Sequence, residues 1–347
     1  MILLREIQER DLDALEKFSR IPGFINLPND KEMLRDKILR SIASFQQNVA
    51  WKFDGKYLFV AENMESGEVL GTSMIAGQHG TVDSPHFYFE VGSEKKFSKM
   101  INTGFIHGTL KLKFDTNGPS EIGGLVLSPQ YRNSEVRVGR QISFVRFLFL
   151  GLHRNLFKRK ILAELLPPLN KKGQSPLWEA IGRRFTNMDY GEADQLCQKN
   201  KEFIFSLFPT GKIYTSFFSA EARNAIGKVG KDTEPVSHML KKIGFQYKNQ
   251  VDPFDGGPHL WANADEILPV QKIIKLTYDS KSETENLVDP VSGILSSLKQ
   301  NIGEYRAMAV KGFIREDRFT STPTDCLGIK KCLGLRSGDR VAFMPYY

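Results

Sequence analysis

The chain has three cysteines in 347 residues, Cys197, Cys326 and Cys332. An odd number with no CxxC pair excludes a disulfide framework and a cysteine zinc site, and points to a reducing compartment. Long hydrophobic runs are also missing. The most apolar stretch, from Ile142 to Leu152, is far shorter than a membrane span and is interrupted by Arg146, so it reads as a buried core helix. The N-terminus, Met1-Ile2-Leu3-Leu4-Arg5-Glu6, reaches charges at once and has no signal-peptide core. The expected location is cytoplasmic, with no membrane partner. There is no Walker A loop and no HExxH, and Gly123-Gly124 lies inside a strand rather than in a GxGxxG turn. Six histidines are present, none spaced from another as metal ligands usually are, so no metal is expected. No serine sits in a nucleophile elbow, which leaves a covalent hydrolase unsupported.

What is present is a basic, globular composition. The net charge is +8 and the pI about 9.2. Lys and Arg are scattered, with short clusters such as Lys158-Arg159-Lys160, and no basic stripe interleaves with aromatics. An anionic small ligand, such as a nucleotide-bearing cofactor, therefore fits better than nucleic acid. The length exceeds one ordinary core, so two domains, or a duplicated one with an appendage, are expected.

Periodicity predicts strands near 2–6, 57–62, 69–76, 86–91, 121–127 and 160–165. Asp11 precedes a helix carrying Leu12, Leu15 and Phe18, and Asn29-Asp30 precedes a second helix with Met33, Leu34, Ile38 and Ile42 on one side. Antiparallel strands followed by a strand–helix–strand unit indicate an α/β fold with a mixed sheet. Further helices are expected over 141–153, 175–185 and 235–243, the last ending at Gly244. The stretches 176–185 and 238–245 both read helix, glycine, phenylalanine, which is compatible with duplication of a small unit and equally with two unrelated amphipathic helices. The expected division is 1–186 for a first α/β half, 187–275 for a second related half, 276–304 for a polar linker and 305–347 for a small β-rich tail module.

The strand–loop–helix over 121–153 is the leading place for chemistry. The first turn of a helix leaves N–H groups unpaired, and its dipole adds positive charge, so a pyrophosphate fits there. The strand edge at Leu125, Val126 and Leu127 can pair with an extended amide-bearing chain, and Arg137 and Arg140 add charge. The same pattern also serves as a plain βα turn with solvated arginines.

Several stretches resemble the arginine N-succinyltransferase family of acyl-CoA N-acyltransferases with the GNAT fold. They are Ser120-Glu121-Ile122 with Leu125-Val126-Leu127-Ser128-Pro129, Arg146-Phe147-Leu148-Phe149, Ser175-Pro176-Leu177-Trp178, Gly244-Phe245-Gln246-Tyr247 and Phe254-Asp255-Gly256-Gly257-Pro258. The resemblance runs through nearly all of the chain. It implies succinyl transfer from succinyl-CoA to the α-amino group of arginine, with no metal. Its alternatives are another acyl-CoA or amine, or a non-catalytic member of the family. Assembly as a homo- or hetero-oligomer is compatible with it.

On this resemblance, coenzyme A is expected at Leu125, Val126 and Leu127 and on the backbone of Arg137, Val138, Gly139, Arg140, Gln141 and Ile142. The family loop resembles Arg-x-x-Gly-x-Gly; here Arg137 stands at its first glycine and Gly139 remains. Asn26, Glu164 and Asp255, which stand in or beside family stretches, are the expected substrate-binding residues. The proton-donating histidine of the family falls on Gly230, and His238, one or two turns into the following helix, is the nearest histidine and the expected substitute.

Overall fold

In a computed structural model, the structure describes residues 1–21, 28–132, 134–170, 172–280, 289–299 and 303–346. Among the described residues fifteen strands are formed. They are β1 (Ile2–Glu6), β2 (Lys56–Asn63), β3 (Val69–Ala76), β4 (His86–Ser98), β5 (Thr103–Asp115), β6 (Ser120–Leu127), β7 (Lys160–Glu164), β8 (Lys212–Tyr214), β9 (Gln246–Val251), β10 (Pro258–Asn263), β11 (Ile274–Tyr278), β12 (Val291–Ser297), β13 (Arg306–Arg315), β14 (Arg318–Ser321) and β15 (Arg340–Pro345). The helices of the first unit include α1 (Leu12–Ser19), α2 (Lys31–Phe45) and α3 (Val138–Leu152). Two compact units interleave along the chain. The first holds 1–77, 122–159 and 263–347, the second 78–121 and 160–262. These units cut across the expected boundaries at 186 and 275.

In the first unit β1 pairs antiparallel with β2, and β2 with β3. The Asp30 side chain accepts from the N–H groups of Glu32 and Met33, the N-cap the sequence predicts for α2. The apolar faces of α1 and α2, with Leu15, Phe18, Leu34 and Ile38, pack against Leu58, Val60 and Val126. Helix α3 is buried on most sides, and Phe149 meets the rings of Phe45, Tyr57, Phe59 and Tyr305. The C-terminal stretch is no separate module. Ala307 of β13 pairs with Leu4 of β1, and β12 pairs with both β13 and β15. The expected linker 276–304 contains β12; residues 281–288 and 300–302 lie outside the described residues.

The second unit is built on a long antiparallel hairpin, β4 with β5, extended by β9 and β8. Strand β10 pairs with β9. Ser120 and Glu121, the start of β6, pair in parallel with Ile161 and Leu162 of β7, as the strand–helix–strand reading requires. The expected helix over 175–185 is two short helices, Pro176–Ala180 and Gly182–Thr186, broken at Ile181. Ser175 caps the first by accepting from the Trp178 N–H. Its hydroxyl donates to the Phe254 carbonyl, and the Trp178 ring stacks on Phe254 at 5.0 Å. The Ser-Pro-x-Trp and Phe-Asp-Gly-Gly-Pro stretches thus pack on each other.

Candidate functional site

In the first unit, β6 bends where Gly124 takes a positive φ of 57°, a conformation glycine reaches without strain. The bend is held by side chains. Thr72 Oγ1 donates to the Gly124 carbonyl at 3.0 Å and Arg146 Nη1 to the Gly123 carbonyl at 3.2 Å. Arg146 is fully enclosed, and burial lowers its pKa. Past the bend Val126 is in the core, while Leu125 and Leu127 stay partly exposed. Helix α3 then starts after Arg137, which takes a left-handed conformation, φ 49°, ψ 48°.

The proposed coenzyme residues divide at this turn. Val138, Gln141 and Ile142 are buried, so only their backbone can face a ligand. Arg137 is exposed. The Arg140 guanidinium lies over the Tyr346 ring at 4.2 Å, and desolvation and the Arg137 charge lower its pKa. Two cations beside a helix N-terminus form a surface suited to phosphate. Beside the end of β6 a cavity of about 330 Å³ is lined by Arg10, Lys17, Phe18, Glu68, Ser128 and Pro129.

In the second unit a different cluster forms around the end of β7. Glu164 Oε1 lies 3.7 Å from His79 Nε2, 3.6 Å from His86 Nδ1 and 3.5 Å from His259 Nε2. The Glu164 side chain keeps 29 % exposure. Desolvation, then Glu121, Asp252 and Asp255, push its carboxyl well above the usual range. Asp255 is pushed up in the same way, by desolvation and then Asp252, although it accepts from the Gly257 N–H. Burial lowers His86 well below its ordinary value and brings His259 to about 3.

The backbone explains why Asp252 and Asp255 stand here. Asp252 Oδ1 accepts from the N–H groups of Phe254 and Asp255, which tightens the turn, and Gly256 takes φ 81°. Gly257 passes so close to β7 that a Cβ there would meet the Leu165 carbonyl at 2.1 Å. Only glycine brings the loop this near.

The family model described as "Arginine N-succinyltransferase beta subunit" matches residues 2–269. A Yersinia pseudotuberculosis protein named arginine N-succinyltransferase is 33 % identical over 352 residues, covering 100 % of this chain and 98 % of its own length. A Citrobacter koseri protein of the same name is 32 % identical, covering 98 % and 96 %. Among solved structures, arginine/ornithine succinyltransferase subunit AI from Pseudomonas aeruginosa is 25 % identical with a TM-score of 0.82, covering 99 % and 98 %. The chain belongs to the arginine N-succinyltransferase family. Its mixed α/β architecture is the GNAT acyltransferase fold that the family resemblance implies.

Membership in this family frames the remaining residues. Glu164 and Asp255 both fall in the cluster of the second unit. Asn26 lies outside the described residues. His238 does not join them. It sits on the exposed face of the helix Glu234–Lys242, whose buried side carries Ser237 and Leu240. The face turned to solvent is the reason it makes a poor stand-in for the family histidine. Gly230 has its N–H bonded to the Leu166 carbonyl at 2.9 Å, and a Cβ there would meet the Pro167 carbonyl at 2.8 Å. Sequence reasoning missed His79, His86 and His259, because β4, β7 and β10 bring together residues far apart in the chain. Among the described residues, no helix is long and apolar enough to cross a membrane.

Proposed function

We propose that the chain transfers a succinyl group from succinyl-CoA to the α-amino group of arginine. Within a chain of this family, the observation that carries the reading is the Glu164 carboxyl, raised in pKa and still partly exposed among further carboxylates. An ammonium group must lose a proton before it attacks a thioester, and a carboxyl raised above its usual range is suited to that task. Asp252 and Asp255 supply negative charge suited to a guanidinium. On the acyl side, the first-turn N–H groups of α3 with Arg137 and Arg140 would hold phosphates. Backbone N–H groups at Leu125 to Leu127 would stabilise the developing oxyanion. Bound coenzyme A supplies a thiolate leaving group, and a thiol of ordinary pKa about 8.5 leaves without a strong acid. The Gly230 position is therefore compatible with turnover.

A second amine, ornithine, is favoured by one solved relative. The Pseudomonas relative is named for ornithine as well as arginine. The compartment in this reading is cytoplasmic, supported by three free cysteines. Assembly with a second chain is part of the same reading, since that relative is named as a subunit. A thiol-release assay with succinyl-CoA and acetyl-CoA against arginine and ornithine tests it. Succinyl-CoA with arginine should give the highest kcat/KM; release with neither amine would overturn the activity.

A further inference from the structure

Three imidazole rings of the second unit converge on one carboxylate oxygen. The separations from Glu164 Oε1, 3.5 to 3.7 Å, are too long for good hydrogen bonds. His79 Nδ1 lies 2.8 Å from Glu121 Oε2. An ionised carboxylate only accepts, so Nδ1 carries the hydrogen, and in the neutral ring Nε2 turns its lone pair toward Glu164. A lone pair set against a carboxylate oxygen repels it unless a proton or a metal cation lies between.

The buried rings carry a second, independent sign. His259 is 0 % exposed and neither of its ring nitrogens has a hydrogen-bond partner among the described residues. His86 is 1 % exposed and its Nε2 is in the same state. Buried polar atoms are nearly always satisfied, so the His259 Nε2 that faces Glu164 marks a missing ligand, while the orphan of His86 is the nitrogen opposite the Nδ1 that faces Glu164. The donor atoms of His79, His86 and Glu164 all lie within 4.8 Å of one another, and so do those of Glu164, Asp252 and His259. A tetrahedral ion with bonds of about 2.0–2.1 Å holds its donors roughly 3.4 Å apart, close to the separations of His79 and His86 from Glu164.

We infer that His79, His86 and Glu164 form a binding site for one divalent transition-metal ion of the zinc type, with His259 beside the same carboxylate oxygen. Nitrogen-rich donors select zinc, cobalt or nickel over magnesium and calcium, which take oxygen. Glu121 is the outer carboxylate that fixes the tautomer and orientation of His79. Asp252, Asp255 and Lys201 are the other charged groups acting on the cluster. One consequence rests on the function proposed above: the ion occupies the carboxylate assigned to the amine, and so competes with the amino-acid substrate.

The test uses the full chain, stripped with a chelator and titrated with Co²⁺ and Zn²⁺. One equivalent of Co²⁺ should bind with the intense visible bands of tetrahedral cobalt, and Zn²⁺ should displace it. His79→Ala should weaken binding at least tenfold, and Glu121→Gln by about 10–100-fold. His107→Ala, at a half-buried histidine on β5 bonded to Ser216, should change nothing. His79→Cys should keep the ion and add a sulfur-to-cobalt charge-transfer band, a signal a misfolded variant cannot give. No saturable binding, or equal affinity in wild type and His79→Ala, would overturn the site. Zinc should also raise the KM for arginine and leave that for succinyl-CoA unchanged. One equivalent bound with no effect on arginine would remove Glu164 from amine binding and leave the metal site standing.

Discussion

Each unit buries a cluster of ionisable side chains, and the two are built to opposite rules. In the first unit, Arg5 and Asp11 are both 3 % exposed and meet through two hydrogen bonds of 2.7 and 2.8 Å. Arg5 Nε adds a bond to Glu62, which also accepts from Arg10. Burial works against the Arg5 charge, yet Asp11 and Glu62 together raise its pKa. In the second unit, carboxyls are pushed up and imidazoles down, so burial outweighs whatever stabilises the charge of either class. A closed network of the first kind holds a fold in place, and an open one is suited to receive a ligand.

The largest expected effect breaks the open cluster. Glu164→Gln keeps the shape and removes the proton acceptor. It should lower kcat/KM for arginine by about 10²–10⁴-fold in the thiol-release assay. Thermal stability at neutral pH should not fall, because a costly buried charge is lost. Breaking the closed cluster should do the reverse. Arg5→Met leaves Asp11 buried without its cation and Glu62 with Arg10 alone, and should cost about 3–5 kcal/mol in denaturant unfolding. The KM for arginine in the folded fraction should stay within about twofold, since Arg5 has no role in binding.

The pH dependence sharpens the contrast. Glu164 has a folded pKa above its unfolded one, so it favours folding most at low pH and loses that contribution as pH rises through the folded value. His86 and His259 have folded values below the unfolded 6.5, so they oppose folding increasingly as pH falls below 6.5. The Tm of Glu164→Gln minus that of wild type should therefore grow between pH 5 and pH 8. A difference that shrinks with rising pH would mean that Glu164 is paired and ionised.

Much of the first unit is legible in the sequence because its signals are local. Asp30 caps α2 from the position directly before it, and the run Leu125 to Ile142 carries its strand, turn and helix in order. The long hairpin is harder. Strand β5 puts Phe105 and Ile106 on exposed positions and pairs over its full length with β4, so its alternation does not report a buried face. The open cluster is harder still. His79 is on the approach to β4, His86 on β4 and His259 on β10, and no spacing rule links them. One local signal exists: His259 directly follows the Phe-Asp-Gly-Gly-Pro stretch, whose glycines mark a close backbone approach.

A moderate effect is expected at the proposed coenzyme turn. A Cβ at Gly139 would meet Leu127 Cδ2 at 3.5 Å, an ordinary contact. Gly139→Val should therefore fold normally, and any loss of affinity reports the approach of the ligand to the backbone. About tenfold weaker succinyl-CoA binding, ~1.4 kcal/mol, is expected by calorimetry. Unchanged affinity would move the pyrophosphate away from α3.

The smallest effect belongs to His238. It is exposed on its helix and has no place in the Glu164 cluster, so His238→Ala should change stability by less than about 0.5 kcal/mol. It should leave kcat unaltered; a large fall in kcat with KM unchanged would restore it as an acid. Gly230→His asks the complementary question, and there the backbone opposes the substitution. The new Cβ would press on the Pro167 carbonyl at 2.8 Å, and that carbonyl is main chain rather than the end of a flexible side chain. The variant should lose stability through displacement of the Leu166–Pro167 loop and gain no rate. If the rate rises despite a lower Tm, the proton donor of the family has been restored, and thiolate departure limits turnover in the parent chain. If neither changes, the loop yields without cost, and transfer does not depend on an acid at this position.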